Sequence, residues 1–229
     1  MSDLSAKVPR GGITTLLGQN GCGKTTILRS IIKYVKPMKG SAFLGRRDIS
    51  SIRVDELPKY VSYAPSMIED SMGFRAIDLV LNARKAGRWV NESEAMHALE
   101  GLGMINFAGR MFGHLSTGQK KLVMIARAVA VDAPLMLLDE PTSGLDPTNR
   151  QMIAGVIGKL AAGGTSVLIA THDIDLALQS DYIIALKEGK LFASGRPERV
   201  LSSKTLTALY NSEIRVYRRG GRMFAVHAI

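Results

Sequence analysis

The run Gly18-Gln19-Asn20-Gly21-Cys22-Gly23-Lys24-Thr25 constrains this chain more than any other feature. It has the G-x-x-x-x-G-K-T spacing of a loop that wraps a chain of phosphates. Glycines let the backbone approach the anion with its N–H groups turned inward, and the N-terminus of a following helix favours negative charge. Such a loop needs a strand before it and a helix after it, and both are legible. Ile13-Thr14-Thr15-Leu16-Leu17 is a short, β-branched, apolar run, and over residues 24 to about 34 the residues Ile27, Leu28, Ile31 and Ile32 recur at helical spacing. Lys24 can then reach the β- and γ-phosphates of a nucleotide and the Thr25 hydroxyl can sit on Mg²⁺. Thr26 adds a second hydroxyl near the α-phosphate, and Cys22 reads as a variable position of the loop.

The remaining sequence alternates in the same way. Pro37 and Gly40 close the first helical region, and strands are expected around residues 42–44 and 60–63. From 67 to 131 the character turns helical: Ile77, Val80 and Leu81 line a segment ending near Gly87, and residues 92–99 make a second helix with Ala95, Met96 and Leu99 inward. Alternation resumes with a buried strand at 135–138, a helix at 147–162 capped by Asp146, a strand at 166–170 and a short helix at 174–179. Strands at 182–186 and 190–193 join through Glu188-Gly189, and the tail from Pro197 holds one or two helices and a strand pair around 214–216 and 223–226. This pattern predicts an α/β fold: a mainly parallel sheet with helices on both faces, small β elements and an inserted helical stretch. No run of eighteen apolar residues occurs and residues 1–7 lack the features of a secretory signal, so any membrane role requires docking onto other subunits. Cys22 is the sole cysteine, which excludes an internal disulfide.

Two further motifs carry chemistry. The apolar run Leu135-Met136-Leu137-Leu138 ends in Asp139-Glu140, which places two carboxylates at the edge of the sheet where ligands bind. Asp139 would hold Mg²⁺ through water, and Glu140 would orient or deprotonate an attacking water. Leu115-Ser116-Thr117-Gly118-Gln119 opens a helix at Ser116, whose hydroxyl and following N–H groups form a second anion site.

That pentad resembles the LSGGQ signature of ABC (ATP-binding cassette) ATPases, with Thr117 in place of the first glycine. The resemblance covers essentially the whole chain. It implies a P-loop NTPase of RecA-like fold, one domain over 1–229, with a core of about 1–66 and 132–229 and a helical subdomain of about 67–131. It also implies that the signature faces the γ-phosphate held by another copy, so that two ATPs lie between two subunits. Ser143-Gly144-Leu145-Asp146 matches the D-loop that meets the partner copy, and His172 in Thr171-His172-Asp173 matches the switch histidine at the γ-phosphate. The expected activity is ATP hydrolysis driving a transporter. Its partners are permease subunits at the cytoplasmic face of the membrane and, indirectly, an extracytoplasmic substrate-binding protein. The tail from Gly189 to Leu201, with 206–210, is similar to ATPases that drive uptake of iron-siderophore, haem or cobalamin.

Two departures stand out. Where the family carries Gln after Tyr-x-Pro, this chain reads Tyr63-Ala64-Pro65-Ser66, so Ser66 is expected to reach the metal poorly and hydrolysis or coupling to suffer. The residues before Gly18 hold no aromatic to stack on adenine, which predicts weaker base binding or a truncated start. The formal charge of +10 is scattered, densest at Arg215, Arg218, Arg219 and Arg222, and no nucleic-acid motif accompanies it. A cassette acting on nucleic acid or ribosomes, and a hydrolysis-impaired cassette, are the competing readings.

Overall fold

The computed structural model describes residues 4–66, 73–220 and 222–227, so the expected onset of the helical stretch at Met67 lies outside the described residues. Six strands form the central sheet: β1 (Ile13–Leu17), β4 (Val61–Ala64), β7 (Leu135–Asp139), β8 (Ser166–Thr171), β9 (Tyr182–Lys187) and β10 (Lys190–Gly195). Their order is β10-β9-β1-β8-β7-β4, and every pairing is parallel except β10 on β9. The apolar runs are continuous because both faces are covered. On β7, Met136 and Leu138 point into a cluster with Phe112, Leu122, Ile125 and Ile153, while Leu137 points the other way, to Leu28 and Leu168. Each such fully buried side chain contributes roughly 1.5–3 kcal/mol by leaving water.

The helices are α1 (Lys24–Ile31), α2 (Ala76–Leu81), α3 (Glu92–Gly101), α4 (Thr117–Val131), α5 (Pro147–Ala162), α6 (Ile174–Ala177), α7 (Pro197–Val200) and α8 (Ser203–Tyr210). Pro147 opens α5 at a position whose missing N–H costs nothing, and the Asp146 carboxylate accepts from Asn149 N at 3.0 Å. Among the described residues no helix is long and apolar enough to cross a membrane.

Two sequence expectations are corrected. The segment carrying Ile77, Val80 and Leu81 does not stay helical to Gly87. It stops at Leu81, and the chain folds into a two-stranded ribbon of β5 (Arg84–Lys85) and β6 (Arg88–Trp89). Ala86 and Gly87 both take positive φ, +48° and +93°, which is the left-handed pair a two-residue hairpin turn requires. The strand expected at 42–44 is only β2 (Phe43–Leu44), paired with β3 (Arg47–Asp48) in its own ribbon away from the main sheet. A final ribbon, β11 (Ile214–Arg219) with β12 (Arg222–His227), rests on α8 and α6 through Ile214, Val216, Met223 and Ala225.

Register decides where the chemistry gathers. Leu17 lies opposite Thr171, and Asp139 opposite Ala170, so β1, β7 and β8 release their chains at one edge of the sheet.

Candidate active site

Gly18 leaves β1 with its N–H donated to Thr171 O at 3.4 Å. A Cβ at Gly18 would fall inside the contact shell of the Leu186 carbonyl and 2.8 Å from Cys22 Sγ, so no side chain fits. Gly21 and Gly23 hold positive φ, +81° and +102°, which curls the loop into the start of α1. Lys24 is buried, 5 % exposed, and its ammonium donates to the carbonyls of Gly18 (2.8 Å) and Gln19 (3.1 Å), with Glu140 Oε1 at 3.5 Å. Asn20 and Thr26 are exposed on the rim, and Cys22 is buried behind the loop. Gln19 Nε2 donates to the carbonyl of Tyr210 at 2.7 Å, tying the loop to the end of α8.

The Thr25 hydroxyl donates to both oxygens of Asp139, at 2.9 and 3.0 Å. Ser66 reaches the same carboxylate at 3.1 Å, and Tyr63 OH lies 3.5 Å away. Asp139 is 2 % exposed; burial pushes its pKa up, while the hydrogen bonds from Thr25 and Ser66 pull it down. Burial and the Asp139 charge together hold the Tyr63 phenol protonated.

Glu140 follows with φ +47°, a conformation that side-chain-bearing residues seldom adopt and that clusters at active sites. Its N–H donates to Ala170 O at 2.8 Å, which keeps it in register with β8 while the left-handed turn swings the carboxylate over the loop. Oε2 accepts from Thr171 Oγ1 at 3.1 Å and lies 2.9 Å from His172 Nδ1. Oε1 is buried without a hydrogen-bond partner among the described residues. Lys24, Thr25, Asp139, Glu140 and His172, distant in sequence, thus converge on one sheet edge.

The signature pentad sits elsewhere. Ser116 caps α4: its hydroxyl accepts from Gln119 N (3.2 Å) while Gln119 Oε1 accepts from Ser116 N (3.0 Å). Leu115 is buried and anchors the turn, while Ser116 and Thr117 are exposed at the helix tip. Gly118 packs so closely on Leu145 and Asn149 that a Cβ would lie 3.2 and 3.4 Å from them. The signature therefore packs on Leu145 of the 143–146 loop and on Asn149 of its own chain, and among the described residues it shares no hydrogen bond with the phosphate loop.

Residues 1–143 match the profile of the ABC transporter family. The chain belongs to that family. It is 30 % identical over 225 residues to the petrobactin import ATP-binding protein FpuD of Bacillus anthracis, covering 94 % of this chain and 82 % of that protein. Among solved structures, a metal-chelate type ABC transporter in an inward-facing conformation superposes with a TM-score of 0.79 at 26 % identity, over 98 % of this chain and 90 % of that one. A dimeric ATP-binding cassette in a post-hydrolysis state with ADP and Pi gives 0.74 at 27 % identity, over 83 % and 88 %. The P-loop NTPase fold of ABC cassettes is thus the fold of this chain.

Several residues of the cassette escaped sequence reasoning. Thr171 orients Glu140, and Tyr210 donates through its hydroxyl to His172 O at 3.0 Å while burial raises its pKa. Lys121 donates to the Glu140 and Ser143 carbonyls from α4. Of these only Lys121 left a signal: a charged residue on the apolar stripe Leu122, Ile125 and Ala126 of α4.

Proposed function

We propose that this chain is the ATP-hydrolysing subunit of an ABC importer for iron-siderophore, haem or cobalamin type substrates. The supporting observation is the convergence of Lys24, Thr25, Asp139, Glu140 and His172 at one sheet edge. The Thr25 hydroxyl and Asp139 carboxylate are hard oxygen donors at the head of the phosphate loop, a set that suits Mg²⁺, which keeps several waters and needs few protein ligands. Mg²⁺ bound there supplies charge neutralisation on the β- and γ-phosphates. Lys24 shifts its donors from the loop carbonyls to the phosphates, and the N–H groups of Gly18–Thr26 cradle them. Glu140, whose buried Oε1 has no hydrogen-bond partner among the described residues and faces the Lys24 ammonium at 3.5 Å, accepts a proton from the attacking water while His172 and Thr171 hold Oε2. Ser66 enters through Asp139, steadying the carboxylate instead of reaching the metal itself.

The exposed signature tip supports a sandwich of two copies around two ATPs, with Leu115–Gln119 and the 143–146 loop of one copy over the phosphate loop of the other. In this reading 67–131 is a helical subdomain inserted in the RecA-like core. Exposed Phe74 and Met111, at the isolated bridge between Arg75 and Met111, give permease subunits an apolar contact at the cytoplasmic face. The petrobactin relative and the metal-chelate transporter support the substrate class. An extracytoplasmic binding protein acts only through the permease.

The test is Glu140→Gln with Mg-ATP. Turnover should fall by about 10²–10⁴-fold while nucleotide binding persists. Unchanged turnover would refute the role of Glu140.

A further inference from the structure

Lys121 is the least expected side chain near the site. It lies in the second turn of α4, just past the signature, and is 8 % exposed. Burial holds its ammonium below the ordinary lysine pKa, a cost that an apolar residue of similar length would avoid. Among the described residues it forms no salt bridge. Its Nζ instead donates to two main-chain carbonyls, Glu140 O at 3.0 Å and Ser143 O. Those carbonyls bracket the turn that carries Glu140 in its left-handed conformation and leads into the 143–146 loop. The same turn is closed by Ser143 N donating to Glu140 O at 3.3 Å. Lys121 also lines, with Pro65, Asp139, Glu140 and Pro141, a small cavity behind the carboxylates.

A lysine buried for packing alone would be replaceable by methionine. One whose donors grip a strained turn fixes the direction in which that turn aims its side chain. We infer that Lys121 is a positioning residue that ties the signature helix to the main chain of Glu140 and to the 143–146 loop. Engagement of the α4 tip by a nucleotide is thereby felt at Glu140 of the same chain. This rests on the role proposed above for Glu140. Lys121 touches no reacting atom, so it governs turnover and leaves the grip on ATP to the phosphate loop.

The test uses the full chain and compares Lys121→Met, Lys121→Gln and Lys121→Arg with Glu140→Gln. Turnover, equilibrium affinity for Mg-ATP and melting temperature are measured for each. Lys121→Met is expected to lower kcat by about tenfold or more with affinity within about twofold, and Lys121→Arg, which keeps donors for both carbonyls, to recover most of it. The inference is overturned if Lys121→Met keeps kcat within about twofold of the parent. It is equally overturned if kcat, affinity and melting temperature fall together and arginine restores none of them, for that is lost packing. Should the methionine variant fail to fold, the glutamine variant is held to the same two outcomes. A Glu140→Gln protein that still turns over ATP sinks the role of Glu140. An inactive Glu140→Gln beside a fully active Lys121→Met sinks Lys121 alone.

Discussion

At the scale of single residues the site is defined by what each position tolerates. Gly18 and Gly21 are both loop glycines, yet they fail differently. Gly18 faces the Leu186 carbonyl and Cys22 Sγ, so Gly18→Ala must push backbone aside and should cost about 1–3 kcal/mol. Gly21 opens to solvent and carries only a positive φ, so Gly21→Ala should cost about 1–2 kcal/mol of backbone strain. Denaturant titration of the two variants checks the order. Asp139 gives a prediction in pH. Burial raises its folded-state pKa above the unfolded value, so ionising it costs stability that is fully present only below about pH 4 and is lost as pH rises through the folded pKa. Asp139→Asn removes that cost and should therefore gain in melting temperature relative to the parent between pH 4 and pH 7. A gain that shrinks over that range would show that the hydrogen bonds from Thr25 and Ser66 outweigh burial.

At the scale of elements, α4 shows why some parts of the fold were legible and others not. Ser116 and Gln119 stand at the spacing of a capping box ahead of an apolar stripe, so the helix start could be read from residue types alone. The phosphate loop was legible for the same reason, its geometry being local. The α2 end was not. Leu81 to Trp89 has no alternation, and its turn depends on Ala86 taking a left-handed φ that sequence gives little cause to expect. Nor could Thr171 or Lys121 be tied to Glu140, or Tyr210 to His172, because those contacts come from strand register and helix packing over long sequence separations. The capping role and the anion role of Ser116 can be separated. Ser116→Ala should cost about 0.5–2 kcal/mol through the lost cap. Ser116→Asp keeps an N-cap acceptor and suits the helix dipole, so stability should hold. If the α4 tip receives a phosphate from another copy, that carboxylate repels it and ATP-driven association is lost in a fully stable protein. Sedimentation with and without Mg-ATP reads the difference.

At the scale of the whole molecule, the two halves of the proposed site lie apart in one chain: the phosphate loop at the end of β1 and the signature at the tip of α4. This separation yields a complementation test. A Lys24→Ala chain and a Ser116→Asp chain each place one defect in both sites of a symmetric pair, so neither alone should trap labelled ATP between copies. In a mixed pair, the defective phosphate loop of one chain meets the defective signature of the other, and the remaining loop and signature are both intact. Mixing the two variants should therefore restore trapping, up to one nucleotide per mixed pair, although each variant by itself shows none. A site built within a single chain cannot do this, because no exchange of partners repairs either defect. Absence of recovery, with both variants folded and the parent trapping ATP normally, would mean that the signature of this chain serves its own nucleotide and that the two-copy arrangement is wrong.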